Sequence, residues 1–136
     1  MESPWLLPYL AVKLVVYVAW CRVGYAWLPE RPRAEHAAAF GVLRFAIGAM
    51  VGTGIWVGST VVWVFLAREL GVESEVLTYV LVYVPVRMLE WGIVGVLAYG
   101  RPPRGWIVGG VVVSVLADVP MVWSLGWHLP LGRFLC

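Results

Sequence analysis

Charged residues are scarce in this chain of 136 residues, where they make up 13% of the sequence. Ordinary soluble domains carry about 25%. Hydrophobic residues make up 62%, and the mean hydropathy is +0.85. A chain of this composition cannot cover itself with polar surface, which excludes a soluble globular protein. Disorder is excluded because so much apolar surface favours burial. The composition predicts one small integral membrane domain over residues 1–136.

Cysteine is also scarce, with two residues in the chain, and basic runs and metal-binding motifs are missing. Cys21 lies in a hydrophobic run and Cys136 is the last residue, so we expect no disulfide framework. A net charge of +2 without a basic run argues against a nucleic-acid partner. No CxxC, HExxH or GxGxxG signature occurs, and His36 and His128 are predicted on opposite membrane faces. We therefore expect no cofactor and no metal site.

Long hydrophobic runs dominate what is present. A membrane-spanning helix needs about 20 largely apolar residues. The sequence offers such stretches at residues 5–28, 40–67, 76–99 and 106–127. They are too long and too uniformly apolar for the alternating strands of a membrane barrel. The sequence thus predicts an all-α polytopic membrane protein, a four-helix transmembrane bundle with short loops. The N-terminus lacks the basic start of a signal peptide, so no cleaved leader is expected.

Arginines predict how the bundle lies in the membrane. The first and third predicted loops share a surplus of them: Arg31, Arg33, Arg101 and Arg104. The opposite side has Arg68 and Arg133, and acidic residues offset them. The positive-inside rule then places both termini outside the cytoplasm. Tryptophans near the predicted helix ends are typical of membrane interfaces: Trp5, Trp27, Trp63, Trp106, Trp123 and Trp127.

Charged residues within the spans are the informative exceptions. Arg87 and Glu90 lie at the middle of the third span, Asp118 lies at the middle of the fourth, and Lys13 lies inside the first. Burying one such charge in hydrocarbon costs at least about 2.5–3.5 kcal/mol. Arg44 is nearer a predicted helix end, where a long side chain can reach water. Deep charges of this kind indicate either a functional site or a structural ion-pair network.

Helical phase places these charges on one face of each span, at about 100° per residue. Each span carries one stripe of polar or small residues. The stripes are Tyr9, Lys13, Tyr17, Trp20 and Gly24 in the first span; Arg44, Gly48, Gly52 and Ser59 in the second; Tyr79, Tyr83, Arg87 and Glu90 in the third; and Gly110, Ser114, Asp118, Met121 and Leu125 in the fourth. Four inward stripes predict a polar interior with a lipid-compatible exterior. Arg87 and Glu90 can pair within one helix, and Asp118 can reach Arg87 or Lys13 across the bundle. Pro85 and Pro120 lie beside these charges and predict local irregularity.

The leading hypothesis is a small transporter or permeation protein for an ion or small molecule. Glu90 and Asp118 would be its proton- or cation-responsive carboxylates, and Arg87 and Lys13 their counter-charges. Tyr83 and Ser114 complete the predicted substrate- or ion-binding residues. The inward tyrosines are expected to make hydrogen bonds between helices.

Two alternatives stay open. A membrane-embedded enzyme acting on a lipid or isoprenoid could use Glu90, Asp118 and Arg87 for acid–base chemistry. A non-catalytic subunit or assembly factor would instead dock on a partner membrane subunit, and a homo-oligomer is a further alternative. Small residues of the second span would allow close approach of helices, within the chain or between chains: Gly48, Gly52, Gly54 and Gly58. An open cavity around the deep charges favours transport or catalysis, whereas closed pairing favours a structural role.

Overall fold

The computed structural model describes residues 6–27, 36–72, 74–101 and 103–125. They form α1 (Leu6–Trp27), α2 (Ala37–Glu69), α3 (Glu75–Tyr99) and α4 (Arg104–Leu125). No strand occurs within those ranges, so the all-α prediction is confirmed for this part of the chain. Each helix begins within one turn of its predicted start. Several sequence predictions fall outside the described residues: the arginines of the first loop, His128, Arg133, Cys136 and the tryptophans at positions 5 and 127.

Two of the helix ends show why the chain turns where it does. The Ser74 side chain accepts a hydrogen bond from the Leu77 backbone N–H at 3.2 Å, which satisfies a free donor at the start of α3. Gly71 and Gly100 follow the ends of α2 and α3 with φ of 63° and 75°. Glycine adopts this left-handed region without the penalty that a Cβ brings, so both helices stop there.

The helices pack in a ring, with α1 against α2 and α4, and α3 against the same two helices. Every stripe residue whose side chain the structure describes is buried or half-buried, which confirms the predicted inward faces. The opposite faces expose large apolar side chains such as Val15, Met50, Leu89 and Leu116. The protein therefore has a polar interior inside an apolar exterior, the reverse of a soluble fold.

Among the described residues, two helices are long and apolar enough to cross a membrane: Leu7–Gly24, with a mean hydropathy of 1.4, and Val76–Tyr99, with 1.7. Helix α2 bends by 54° between Ala37–Gly52 and Val57–Glu69, and the two parts together would make a third crossing. These lengths and compositions are consistent with a membrane protein.

Glycine–tryptophan contacts join α4 to α1 and to α3. Trp106 lies at the start of α4, where the sequence predicts it, but it points inward and is 1% exposed. It packs edge-to-face on Trp91 and Tyr99, with ring centroids 5.3 and 4.9 Å apart. A Cβ on Gly24 would lie 2.2 Å from Trp106 Nε1, and one on Gly110 would lie 2.6 Å from Trp91. Only glycine leaves room for these rings.

The glycine motif predicted for close packing has a different outcome. A Cβ added to Gly54 or Gly58 would meet nothing within 4 Å, so these two glycines do not provide a close helix contact within the described chain. The reason is that α2 presents them on a face that no other described helix covers. Contact with a second chain at this face stays a prediction.

Candidate functional site

Asp118 of α4 is the centre of a buried network that joins three helices. Its side chain is 2% exposed. Oδ1 accepts a hydrogen bond from the Tyr9 hydroxyl at 2.6 Å, and it lies 3.0 Å from Lys13 Nζ. Oδ2 accepts from the Tyr79 hydroxyl at 3.1 Å and from Arg87. One carboxylate therefore binds two cations and two phenols, supplied by α1 and α3.

The tyrosines also hold the cations that face Asp118. The Tyr79 hydroxyl accepts a hydrogen bond from Arg87 at 2.7 Å while it donates to the carboxylate. Tyr79 stacks on Tyr83 with ring centroids 4.6 Å apart, and the Arg87 guanidinium carbon lies 5.6 and 5.7 Å from the two rings. Lys13 Nζ lies 4.9 Å from the Tyr9 ring centroid. Cation–π contacts of this kind stabilise a desolvated charge.

Arg44 and Glu90 form a second buried pair, between α2 and α3. Arg44 NH2 lies 2.5 Å from Glu90 Oε2, and the side chains are 1% and 5% exposed. The prediction that Arg44 reaches water at a helix end is wrong. Its guanidinium carbon instead lies 4.9 Å from the Tyr17 ring and 5.4 Å from the Trp91 ring. A carboxylate and two aromatic faces compensate for the loss of water there.

The predicted pairing of Arg87 with Glu90 along α3 is replaced by pairing across helices. Each of these two residues has its ion-pair partner on a different helix, Asp118 for Arg87 and Arg44 for Glu90. The prediction that Asp118 reaches Arg87 or Lys13 is confirmed, because it contacts both. Pairs that cross helices hold the helices in register, which a pair within one helix cannot do.

The two centres lie about one helical turn apart, roughly 5.4 Å along the axis. On α1, Lys13 faces Asp118 and Tyr17 lies under Arg44. On α3, Arg87 faces Asp118 and Glu90 faces Arg44. They therefore form one continuous polar column rather than two separate sites.

Hydrogen-bond donors outnumber acceptors in this column. Several buried atoms have no hydrogen-bond partner within the described structure: Lys13 Nζ, Tyr17 OH, Arg44 Nε, Arg44 NH1 and Glu90 Oε1. Lys13 Nζ thus contacts Asp118 as an ion pair without the direction of a hydrogen bond. Three cations and two carboxylates are buried among the described residues, which leaves one positive charge unbalanced.

The remaining predicted site residues lie beside the column. Tyr83 is buried and packs on Tyr79, so it supports Arg87. The Ser114 hydroxyl accepts from Trp91 Nε1 at 2.9 Å and donates to the Gly110 carbonyl at 2.8 Å. Ser114 therefore orients Trp91, the ring next to Arg44.

The hydrogen bonds expected between helices for the inward tyrosines are confirmed for Tyr9 and Tyr79, which both donate to Asp118. The residue whose direct role the sequence reasoning missed is Arg44. Arg44, placed on the inward stripe but expected near water, is the partner of Glu90. The sequence feature that indicates this inward position is the helical phase of Arg44, which lies on the same stripe of the second span as Gly48 and Ser59.

The described residues contain no group of three or more His, Cys, Asp or Glu side chains that could hold a metal ion. An open groove between α3 and α4 is lined by apolar side chains alone: Val84, Met88, Val108, Val111, Val112, Val115 and Leu116. The polar column offers two carboxylates, which can exchange protons, and three cations, which can pair with negative charge.

Comparison with known proteins finds no similarity: no protein-family model, no curated protein and no solved structure matches the chain.

Proposed function

We propose that the chain is a four-helix transmembrane bundle, with both termini outside the cytoplasm, that transports an ion or small molecule. The observation that supports this proposal is the Asp118 carboxylate, buried at the meeting point of three helices and paired with Lys13 and Arg87. Ionisable groups at such depth are costly, and in membrane proteins they mark ion and proton pathways.

The geometry suggests how protonation would move the helices. A proton on Asp118 removes the negative charge that holds Lys13 on α1 and Arg87 on α3. Two cations released in a low-dielectric interior repel each other and seek water or an anion. Because every one of these contacts crosses a helix interface, their loss favours a second arrangement of the bundle. Protonation of Glu90 would release Arg44 from α3 in the same way.

The two other functional hypotheses receive less support. Charges that dock a partner subunit should face outward, whereas Lys13, Arg87 and Asp118 contact one another inside the chain. An enzyme acting on lipid needs its acid and base in a lateral opening. The groove between α3 and α4 opens sideways, but its lining is apolar. The pairing around Asp118 is closed, and closed pairing by itself favours a structural role over an open pathway, so the experiment must separate a structural network from a pathway.

Proton flux into liposomes provides this separation. The purified chain is reconstituted with a trapped pH-sensitive dye, and a potassium diffusion potential set by valinomycin drives proton entry. We expect flux above protein-free liposomes for the wild type and loss of that flux for Asp118→Asn and Glu90→Gln. The matched control is Glu69→Gln, which removes an exposed carboxylate at the end of α2 and should leave the flux unchanged. Full flux in both buried-carboxylate variants would refute the proposal.

A further inference from the structure

Buried donors without a hydrogen-bond partner occur at both ion-pair centres of the polar column. Lys13 Nζ, Tyr17 OH and the Nε and NH1 atoms of Arg44 are all buried and have no hydrogen-bond partner within the described structure. Lys13 and Tyr17 are successive residues on one face of α1, one turn apart. The Arg44 guanidinium covers the Tyr17 ring at 4.9 Å. A buried donor without an acceptor costs free energy, which an acceptor placed among these groups would recover.

The balance of the buried charges indicates that this acceptor carries a negative charge. Among the described residues, Lys13, Arg44 and Arg87 are buried with the two carboxylates Glu90 and Asp118, a surplus of one positive charge. An unpaired charge in a low-dielectric interior is strongly unfavourable. One monovalent anion both neutralises this surplus and accepts hydrogen bonds from the donors. A cation would add to the surplus, and a neutral molecule would leave it.

We propose that the bundle interior binds one small monovalent anion, such as a halide or a short-chain carboxylate, between the two centres. Lys13 Nζ, Tyr17 OH and the free edge of Arg44 are its ligands. Glu90 contacts Arg44 through NH2, and the Nε and NH1 atoms of Arg44 have no hydrogen-bond partner within the described structure, as is also true of Glu90 Oε1. Trp91 packs on Tyr17 with ring centroids 5.5 Å apart and forms an apolar wall. This inference extends the proposed transport function by naming the ion. Binding of the anion does not depend on that function, whereas transport of the anion rests on it.

Equilibrium dialysis of radiolabelled chloride tests the site on the whole chain in detergent. We expect saturable binding of a single chloride per chain. Formate and nitrate should compete with chloride, whereas replacing potassium by choline should leave chloride binding unchanged. Lys13→Met and Arg44→Gln should each abolish saturable binding. Tyr17→Phe keeps the ring and removes one hydrogen bond to an anion, so it should weaken binding by about tenfold.

Matched controls separate a site from general attraction to positive charge. Arg22→Gln and Arg68→Gln remove exposed arginines from the same two helices, α1 and α2, and should leave binding unchanged. Circular dichroism and monodisperse size-exclusion profiles identify the variants that have kept their fold. The inference is overturned if the folded wild type binds neither chloride nor formate saturably. It is also overturned if folded Lys13→Met, Arg44→Gln and Tyr17→Phe all bind as the wild type does.

Binding and flux together distinguish the two proposals. Chloride binding in detergent without any flux in liposomes would support the anion site and refute transport. Proton flux that depends on Asp118, without saturable anion binding, would refute the anion site and support transport.

Discussion

Replacing Asp118 by Asn tests how strongly the buried network stabilises the fold. Asn keeps the shape of the side chain and one carbonyl oxygen, but it removes the charge that faces Lys13 and Arg87. Removing one partner of a buried ion pair costs about 3–5 kcal/mol, because the other charge stays buried without compensation. Here two cations lose their partner at once, so we expect Asp118→Asn at the upper end of this range.

The measurement is reversible unfolding in mixed micelles, from which the free energy of unfolding is compared with the wild type. Glu69→Gln is the control, since an exposed carboxylate should change this free energy by no more than about 0.5 kcal/mol. In the double variant Arg87→Met with Asp118→Asn, part of the loss should be recovered, because one of the stranded cations is gone. A loss below about 1 kcal/mol for Asp118→Asn would show that water reaches this carboxylate and would refute the burial argument.

Two further predictions use the same unfolding measurement. Gly24→Ala should destabilise the fold by about 1–3 kcal/mol, because the new Cβ would lie 2.2 Å from Trp106 Nε1; Gly58→Ala, where the Cβ meets nothing within 4 Å, should cost nothing, and equal losses would contradict the packing at Gly24. Tyr9→Phe removes a hydrogen bond to a buried carboxylate and should cost about 1.5–3 kcal/mol, and Tyr79→Phe should cost at least as much because its hydroxyl bonds to both Asp118 and Arg87. A smaller loss for Tyr79→Phe than for Tyr9→Phe would argue against its bridging role.

Periodicity predicted the inward faces well, because helical phase depends only on the spacing of residues along one chain. Lys13, Arg87 and Asp118 were placed on inward stripes from spacing alone, and the structure buries all of them. Spacing along one chain does not predict which charged residues form ion pairs with each other. The i, i+3 spacing of Arg87 and Glu90 makes a local pair plausible, but their partners on α4 and α2 are set by how the helices pack.

Arg44 and the glycines show what a local pattern leaves out. The depth of Arg44 along its helix suggested contact with water, whereas its environment is decided by Glu90, Tyr17 and Trp91 on two other helices. The contribution of a glycine to helix packing likewise depends on which residues lie opposite it. Gly24 and Gly110 face indole rings, whereas the motif glycines at positions 54 and 58 face no described neighbour.

The energetics of buried ion pairs argue that the polar column is present for more than stability. Well-packed apolar residues in place of a buried pair are often neutral or stabilising by about 1–4 kcal/mol, so hydrophobic side chains would serve a purely structural interior at least as well. The column instead buries five ionisable side chains, and their charges do not balance. A structural network has no need of the third cation, since one cation for each carboxylate already balances the charge. Lys13 is that surplus group if Arg87 is assigned to Asp118, and it lies one helical turn along α1 from Tyr17, whose hydroxyl has no partner within the described structure. The surplus charge, rather than the ion pairs themselves, is therefore the feature that most favours a bound ion.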